Sequence, residues 1–181
     1  MSIVLRGPRL VLRPVAPGDL PELLAMLREP AIAARWSPPD DAADLSLLAG
    51  ENPDGAERIT TFTLFDGGAI AGWIAGWEKL DEEYRHAGID LFVSPERHGR
   101  GLGPEAIRLV CRWLIDEQKH HRITIDPAAD NVRAIRAYEK VGFRRVGVLR
   151  RYELGSDGTF HDGMLLDLLP EDLTDAPGAG V

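Results

Sequence analysis

The sequence predicts an α/β (α+β) domain built on a mixed β-sheet. In two places, apolar runs lie on either side of a short turn rich in Gly and Asp, which is the pattern of a β-hairpin. In the second half of the chain, short apolar runs also alternate with segments of helical periodicity. Hairpins pair strands antiparallel, whereas a helix between two strands pairs them parallel, so one sheet should contain both pairings. The 181 residues suffice for a single domain over 1–170, and we expect a flexible tail over 171–181.

In the first half of the chain, each expected element follows from a local pattern. Leucines at positions 20, 23, 24 and 27 recur at helical spacing after Pro17-Gly18-Asp19, and Asp66-Gly67-Gly68 separates the two strands of a hairpin. Residues 37–58 are rich in Pro, Asp, Ala and Gly, so we expect a connection with one short helix over 44–48. The other expected elements are a strand over 10–13, a helix over 20–27, hairpin strands over 62–65 and 70–77, and a strand over 84–93.

The second half is predicted in the same way. An amphipathic helix begins at Leu102, because apolar residues recur at positions 106, 109, 110, 113 and 114. Asp130 or Asn131 can cap a further helix, and Gly142 suits its end in a left-handed conformation. The expected elements are a helix from 102, a strand over 123–125, a helix carrying positions 135, 138 and 141, and hairpin strands over 143–154 and 159–169.

The composition excludes several classes of protein. With 44% hydrophobic and 28% charged residues, the chain is neither disordered nor fibrous. No apolar run approaches the roughly 18 residues of a membrane helix, and arginines interrupt the first 13 residues where a signal peptide would be apolar. The single cysteine, Cys111, cannot form an internal disulfide, and no Cys/His spacing resembles a zinc site. We therefore expect a cytoplasmic protein with no metal and no membrane association.

The net charge of −8 is unevenly distributed along the chain. Residues 37–96 carry 3 basic and 13 acidic residues, whereas residues 97–151 carry 13 basic and 6 acidic ones. This alternation is compatible with two oppositely charged binding zones. The cations of the basic segment are scattered over two helices and the strands between them without interleaved aromatic residues, so no nucleic-acid partner is expected.

A glycine-rich loop, SPERHGRGLGP over Ser94–Pro104, lies between a predicted strand and the helix from Leu102. Its glycines at 99, 101 and 103 allow backbone N–H groups to converge at the positive end of that helix, where a phosphate or pyrophosphate could bind. The alternative is a tight structural turn. The loop is neither a P-loop, since no Gly-Lys-Ser/Thr follows, nor a dinucleotide fingerprint.

Two motifs in this order carry a family resemblance. The segment His98-Gly99-Arg100-Gly101-Leu102-Gly103 resembles the acetyl-coenzyme A loop of the GCN5-related N-acetyltransferases (GNAT), and Asn131, Ala134, Tyr138, Gly142 and Phe143 resemble that family's second motif. The resemblance covers about residues 10–169 and implies the GNAT fold, a mixed, mostly antiparallel twisted sheet flanked by helices with splayed central strands. Within the family, segments 88–93, 124–131 and 133–143 are similar to the aminoglycoside 6'-N-acetyltransferases, whereas segment 6–20 resembles the branch with N-terminal acetyltransferases of ribosomal proteins.

The resemblance also implies roles for particular residues. Acetyl-coenzyme A would be the cosubstrate, attacked directly by an amine in a ternary complex, with Tyr138 as general acid and Asp90 as general base. Asp126 would anchor the acceptor, and a backbone N–H near Phe92 and Val93 would stabilise the oxyanion. The residues expected to bind acetyl-coenzyme A are Phe92, Val93, His98, Gly99, Arg100, Gly101, Leu102, Gly103, Asn131, Ala134 and Tyr138. Those expected to bind the acceptor are Asp126, Asp90, Trp77, Asp81, Glu82 and Glu83.

Structural alternatives exist for several of these residues. Tyr138 could be a core residue, each carboxylate could have an arginine partner or a capping role, and 81–83 could be a solvated loop. His98 stands where the family usually has Gln or Arg, with Arg97 beside it, so either side chain could support the pyrophosphate. Pro104, expected at the first helical position, removes one N–H from the loop.

The expected activity is acetylation of a primary amine of a small polycationic substrate, above all the 6'-amine of an aminoglycoside, which would make the protein an antibiotic-resistance enzyme. One alternative is acetylation of a protein N-terminus, a peptide or a lysine-type amine. Another is a non-catalytic acyl-coenzyme A-binding domain, against which the presence of Tyr138 and the intact glycines count. The resemblance is compatible with a monomer or a homodimer.

Overall fold

The computed structural model describes residues 3–36, 40–52, 55 and 57–175. In these ranges eight strands form one sheet in the order β1-β2-β3-β4-β5-β6-β8-β7. The strands are β1 (Leu5–Arg6), β2 (Leu10–Pro14), β3 (Glu57–Asp66), β4 (Ala69–Lys79), β5 (His86–Val93), β6 (Ile123–Ile125), β7 (Arg144–Leu154) and β8 (Phe160–Leu168). The helices are α1 (Leu20–Leu27), α2 (Pro30–Ala33), α3 (Asp41–Ala49), α4 (Leu102–Asp116) and α5 (Val132–Glu139).

The sheet is mixed and mostly antiparallel, as predicted. Among the described strands, β5 and β6 are the parallel pair, and the other neighbours are antiparallel. Helix α4 joins β5 to β6 and so returns the chain to run in the same direction, which a two-residue turn cannot do. The predicted sheet flanked by helices is therefore confirmed.

Several strand boundaries differ from the predictions. Strands β3 and β4 are longer than expected because they remain paired as far as Glu57 and Lys79. Strand β5 begins at His86 rather than at residue 84, because the Asp81 carboxylate accepts hydrogen bonds from the N–H groups of Glu83 and Tyr84 and closes a turn there.

The predicted connection over 37–58 contains a longer helix than expected. Helix α3 covers Asp41–Ala49, because the Asp40 carboxylate accepts from the N–H groups of Ala42 and Ala43, and Gly50 ends the helix at a φ of +76°. Residues 37–39, 53, 54 and 56 of this connection lie outside the described residues.

The sheet separates two apolar cores. Helices α4 and α5 pack on one face, which contains Ile74 and Ile89, and helices α1 to α3 cover the other, which contains Trp73 and Phe92. Successive residues of a strand point to opposite faces, so Asp90 shares the α1–α3 face with Phe92. Tyr138 belongs to the core of the α4–α5 face. The two predicted catalytic side chains thus start from opposite faces of the sheet.

The segment after β8 folds back onto the end of α5. The Thr174 N–H donates to the Val141 carbonyl at 2.9 Å, and a Cβ on Gly142, whose φ is +120°, would lie 1.9 Å from the Asp172 carbonyl oxygen. Gly142 therefore has the positive φ that the sequence predicts, and the close approach of Asp172 requires a glycine there. The expected tail thus includes residues that contact the domain, its flexibility stays a prediction, and residues 176–181 lie outside the described residues.

Candidate active site

A gap in the sheet opens where β5 and β6 separate. The two strands are paired at Ala87–Ile123 and Gly88–Thr124, and beyond Gly88 strand β5 continues for five residues without β6 beside it. The Ala87 N–H donates to Arg122 on the β6 side, whereas the Ser94 N–H donates to Ala71 on the β4 side. N–H groups alternate in direction along a strand, so those of Leu91 and Val93 face the gap.

The oxyanion donor predicted near Phe92 and Val93 is therefore not the N–H of Phe92 itself, and its role stays a prediction. By the same alternation the Phe92 N–H is directed towards β4, where Phe92 is paired with Trp73. Its ring is buried in the α1–α3 core, stacked on the Trp73 ring with centroids 5.8 Å apart. Val93, in contrast, keeps its predicted position as a possible donor to an oxyanion.

Two adjoining cavities lie at this gap. One has a volume of about 300 Å³ and is lined by Asp90 of β5, Asp126 just after β6, Tyr138 of α5 and residues of the neighbouring segments. The other, of about 640 Å³, extends along the α1–α3 face past Trp77 and Glu57. Asp90 and Asp126 line both cavities, so the predicted base and the predicted anchor lie at their junction.

The environment of Asp90 makes it a better proton acceptor than an ordinary aspartate. Burial, followed by the negative charges of Asp126, Glu153 and Glu57, raises its pKa to about 6, and the Trp77 side chain opposes this shift by hydrogen bonding. The Trp77 indole packs against Gly88, where a Cβ would lie 1.9 Å from Cζ2 of the indole. Only a glycine at position 88 leaves room for the indole beside the carboxylate.

Asp126 has a partner that the sequence did not predict. The Tyr152 hydroxyl donates to Oδ2 of Asp126 at 2.5 Å, and this bond, burial and the nearby carboxylates raise the pKa of Tyr152 to about 12. The next residue, Glu153, also lines the smaller cavity, and burial together with the charge of Asp126 raises its pKa. A third carboxylate therefore joins the two predicted ones.

Tyr138 enters the cavity from the other side of the gap. It is only 7% exposed and packs edge-to-face on Phe143, with ring centroids 5.9 Å apart. Burial and the charges of Asp90 and Asp126 raise the pKa of its phenol, so the hydroxyl keeps its proton at neutral pH. Tyr138 is thus both a core residue and a wall of the cavity.

The glycine-rich loop contains two residues in the left-handed region and leads into an uncapped helix. Gly99 and Gly101 have φ values of +76° and +78°, and Gly101 precedes α4, whose first turn has no side-chain cap. No atom lies within 4 Å of the Cβ positions of Gly99 and Gly103, so the surface there is open. Pro104 is the third residue of α4 rather than the first. The N–H groups of the whole first turn have no partner within the helix, so the missing N–H of a proline at the third position costs no helical hydrogen bond.

Neither His98 nor Arg97 is placed as a free cation on this loop. Arg97 is paired with Asp66 at 2.6 Å. His98 Nε2 lies 2.8 Å from the Val93 carbonyl and must carry the hydrogen, so Nδ1 accepts from Nη1 of Arg133 at 2.7 Å. Burial and the adjacent Arg133 lower the pKa of His98, so it is neutral and orients the arginine.

Comparison with known proteins identifies the family. The model of the acetyltransferase (GNAT) domain matches residues 9–144, which is most of the chain.

The chain belongs to the GNAT acetyltransferase family.

The chain is similar to one curated protein in sequence and to two solved structures in fold. The chain is 36% identical to the aminoglycoside N(6')-acetyltransferase type 1 of Klebsiella pneumoniae over 75 residues, which are 41% of this chain but only 37% of that protein. Its fold matches RimJ of Mycobacterium smegmatis, solved with CoA-disulfide, with a TM-score of 0.78 at 24% identity over 97% of this chain and 90% of that one. It also matches spermidine N-acetyltransferase of Vibrio cholerae, solved with CoA and spermine, with a TM-score of 0.76 at 22% identity over 92% and 98% of the two chains.

In this GNAT domain, one part of the predicted acceptor site does not reach the cavities. Asp81, Glu82 and Glu83 are exposed and line neither cavity. The Asp81 carboxylate already accepts a hydrogen bond from the Glu83 N–H within the turn before β5. Asn131 lines the smaller cavity and caps α5 by accepting from the Ala134 N–H at 3.3 Å, so it combines the predicted structural role with a place at the site.

Several other residues that line the smaller cavity were not predicted from the sequence. Trp36 and Arg35 line the smaller cavity from a segment with no recognisable motif, and Tyr152 and Glu153 do so from a strand predicted only as half of a hairpin. A possible signal was the aromatic and acidic pair Tyr152-Glu153 in a strand otherwise rich in Arg and Val.

Two further observations concern the described part of the chain only. No group of three or more His, Cys, Asp or Glu side chains there is arranged to hold a metal ion. None of the helices in those ranges combines the length and the apolar character that crossing a bilayer requires.

Proposed function

We propose that this GNAT-family protein transfers an acetyl group from acetyl-coenzyme A to a primary amine of a small polycationic acceptor, with the 6'-amine of an aminoglycoside as the leading example. One observation carries the choice of acceptor. The carboxylates of Asp90, Asp126 and Glu153 line one cavity, and none of them is ion-paired with an Arg or Lys among the described residues. Arg35, which lines the same cavity, is paired with Asp130 instead.

The mutual repulsion of these carboxylates favours a cationic ligand. The charge of Asp126 contributes to the raised pKa of both Asp90 and Glu153, so the ionised forms of these two groups are destabilised beside it. A ligand with several ammonium groups would relieve that repulsion by pairing with the carboxylates. The likeness to an aminoglycoside acetyltransferase over part of the chain supports the same class of acceptor.

The residues on the α4 side fit acetyl-coenzyme A. The open loop over His98–Gly103, with the uncapped first turn of α4 behind it, offers backbone N–H groups to a pyrophosphate. The N–H groups of Leu91 and Val93, which face the gap in the sheet, offer further donors, and Leu91 lines the smaller cavity together with Tyr138. The loop over 98–103 and Tyr138 lie in the basic segment of the sequence, which suits a polyanionic cosubstrate.

The chemistry follows from these placements. Acetyl-coenzyme A supplies the thioester carbonyl that an amine attacks. Asp90, with a pKa of about 6, is mostly ionised at neutral pH and yet basic enough to accept a proton from the acceptor's ammonium group. The Val93 N–H can donate to the carbonyl oxygen, and the Tyr138 hydroxyl can give its proton to the leaving sulfur.

The test follows thiol release from acetyl-coenzyme A by the purified protein. We expect release with kanamycin-like aminoglycosides, and less with spermidine or with a peptide that has a free N-terminus. Release with the peptide and background rates with every polycationic amine would overturn the proposal in favour of a peptide acetyltransferase. Background rates with all amines, together with retained binding of acetyl-coenzyme A, would indicate a non-catalytic acyl-coenzyme A-binding domain.

A charge substitution refines the test. Asp126→Asn is expected to raise the Michaelis constant for a polycationic amine about tenfold or more and to leave that for acetyl-coenzyme A nearly unchanged. Glu22→Gln, which removes an exposed charge on α1 away from both cavities, is the matched control. An equal rise in the Michaelis constants for the amine and for acetyl-coenzyme A would mean that Asp126 is structural.

A further inference from the structure

The hydrogen bond between Tyr152 and Asp126 lies at the junction of the two cavities. Asp90, Asp126 and Tyr152 are the residues that line both of them. The phenol donates to Oδ2 of Asp126 at 2.5 Å, and no side chain among the described residues donates to Oδ1. Tyr152 is half exposed, so its position does not follow from burial in the core.

An irregularity in β7 brings Tyr152 to this position. Strands β7 and β8 pair at Leu149–Gly163 and next at Glu153–His161, so three residues of β7 lie opposite one residue of β8. In the bulge, Arg151 has a φ of +51°, and its N–H donates to Oδ1 of Asp162 at 2.7 Å. A non-glycine residue at positive φ is uncommon, and here a specific hydrogen bond accompanies it.

The same stretch of β8 also holds the chain next to Asp126. The Ala129 N–H donates to the Asp162 carbonyl and the Met164 N–H donates to the Pro127 carbonyl, each at 2.8 Å. The Tyr152 ring lies over Gly163, where a Cβ would be 3.0 Å from Cδ1 of the ring. Residues 162–164 therefore contact both the chain next to Asp126 and the ring of Tyr152, and so they fix the position of both partners of the hydrogen bond.

We propose that Tyr152 is a positioning residue for the amine acceptor: by holding Oδ2 of Asp126 it fixes that carboxylate so that Oδ1 accepts from an ammonium group of the substrate. This inference rests on the proposed function. A carboxylate held in one orientation loses less side-chain entropy when the substrate binds than a free one would. The phenol also prevents Asp126 from turning away from the cavity towards solvent.

The first test is a double-mutant cycle on the Michaelis constants. Tyr152→Phe keeps the ring over Gly163 and removes only the hydroxyl, and we expect it to raise the constant for the amine about tenfold with that for acetyl-coenzyme A unchanged. In an Asp126→Asn background the same substitution should have little further effect. Tyr84→Phe, at an exposed tyrosine outside both cavities, is the matched control. Equal effects of Tyr152→Phe in both backgrounds, or none in the wild type, would overturn the inference.

A second readout needs no acceptor. The chain has three tyrosines, and the absorbance of tyrosinate on alkaline titration should show one of them ionising at a lower pH in Asp126→Asn than in the wild type, because Tyr152 loses the hydrogen bond that contributes most to its raised pKa. Identical titration of the two proteins would mean that the contact does not form. If the contact forms but no polycationic amine is acetylated, the proposed function fails, and the positioning role fails with it.

Discussion

Replacement of Asp90 by Asn should stabilise the fold while it slows the reaction. The pKa of Asp90 is about 6, compared with 3.8 for an ordinary aspartate. Each pKa unit corresponds to 1.36 kcal/mol, so the ionised carboxylate costs the folded state on the order of 3 kcal/mol at neutral pH. For a domain of this size that corresponds to a rise of about 6 to 12 °C in melting temperature when the charge is removed, as an upper bound.

The pH dependence distinguishes this cause from others. A raised pKa in the folded state means that ionised Asp90 opposes folding above pH 6 and that this cost disappears as the pH falls from about 6 to about 4. Thermal unfolding of Asp90→Asn and wild type should therefore differ most at pH 7 to 8 and converge near pH 4, with Glu22→Gln resembling the wild type throughout. A difference in melting temperature that does not change with pH would show that the ionised Asp90 carboxylate is not the cause of the lower stability of the wild type.

Three further predictions concern other parts of the site. Tyr138→Phe should lower kcat about a hundredfold or more in steady-state assays with little change in the amine's Michaelis constant, and an unchanged kcat would remove Tyr138 as the acid. His98→Ala removes the acceptor that orients Arg133 next to the glycine-rich loop, where we expect this arginine to pair with the pyrophosphate of acetyl-coenzyme A. The Michaelis constant for acetyl-coenzyme A should rise about fivefold, and an unchanged constant would contradict this role. Arg9→Ala leaves Glu105, only 8% exposed, without its cation, so chemical denaturation should show a loss of about 1 to 3 kcal/mol, and full stability would mean that backbone donors suffice.

The elements could be predicted from the sequence wherever a single segment carried its own periodicity. Helix α4 and strand β6 begin at the predicted residues, because their apolar spacing and the adjacent glycines define them locally. The start of β3 at Glu57 could not be predicted, since that end is extended by pairing with β4 rather than by its own residues. Asp40 begins α3 by capping it, a cue hidden in a stretch whose composition indicated a connection.

For the site, motifs predicted the residues of β5, β6 and α5, and the fold determined the rest. Asp90, Asp126 and Tyr138 do meet in one cavity, although they start from different elements and faces. Tyr152 and Glu153 depend on a bulge in β7, and the number of residues opposite a partner strand cannot be read from one strand alone. The catalytic and binding roles of all five residues stay predictions until the substitutions are made.

The three carboxylates of the cavity also have a consequence for the end of each turnover. Acetylation converts a charged ammonium group into a neutral amide, so the product of the proposed reaction carries one positive charge fewer than the acceptor that entered. In the proposed function the product would therefore lack one ion pair with Asp90, Asp126 or Glu153, and the repulsion among these carboxylates would return. A cavity that binds its substrate through charge thus weakens its hold on the product through the reaction itself, which favours release and limits product inhibition.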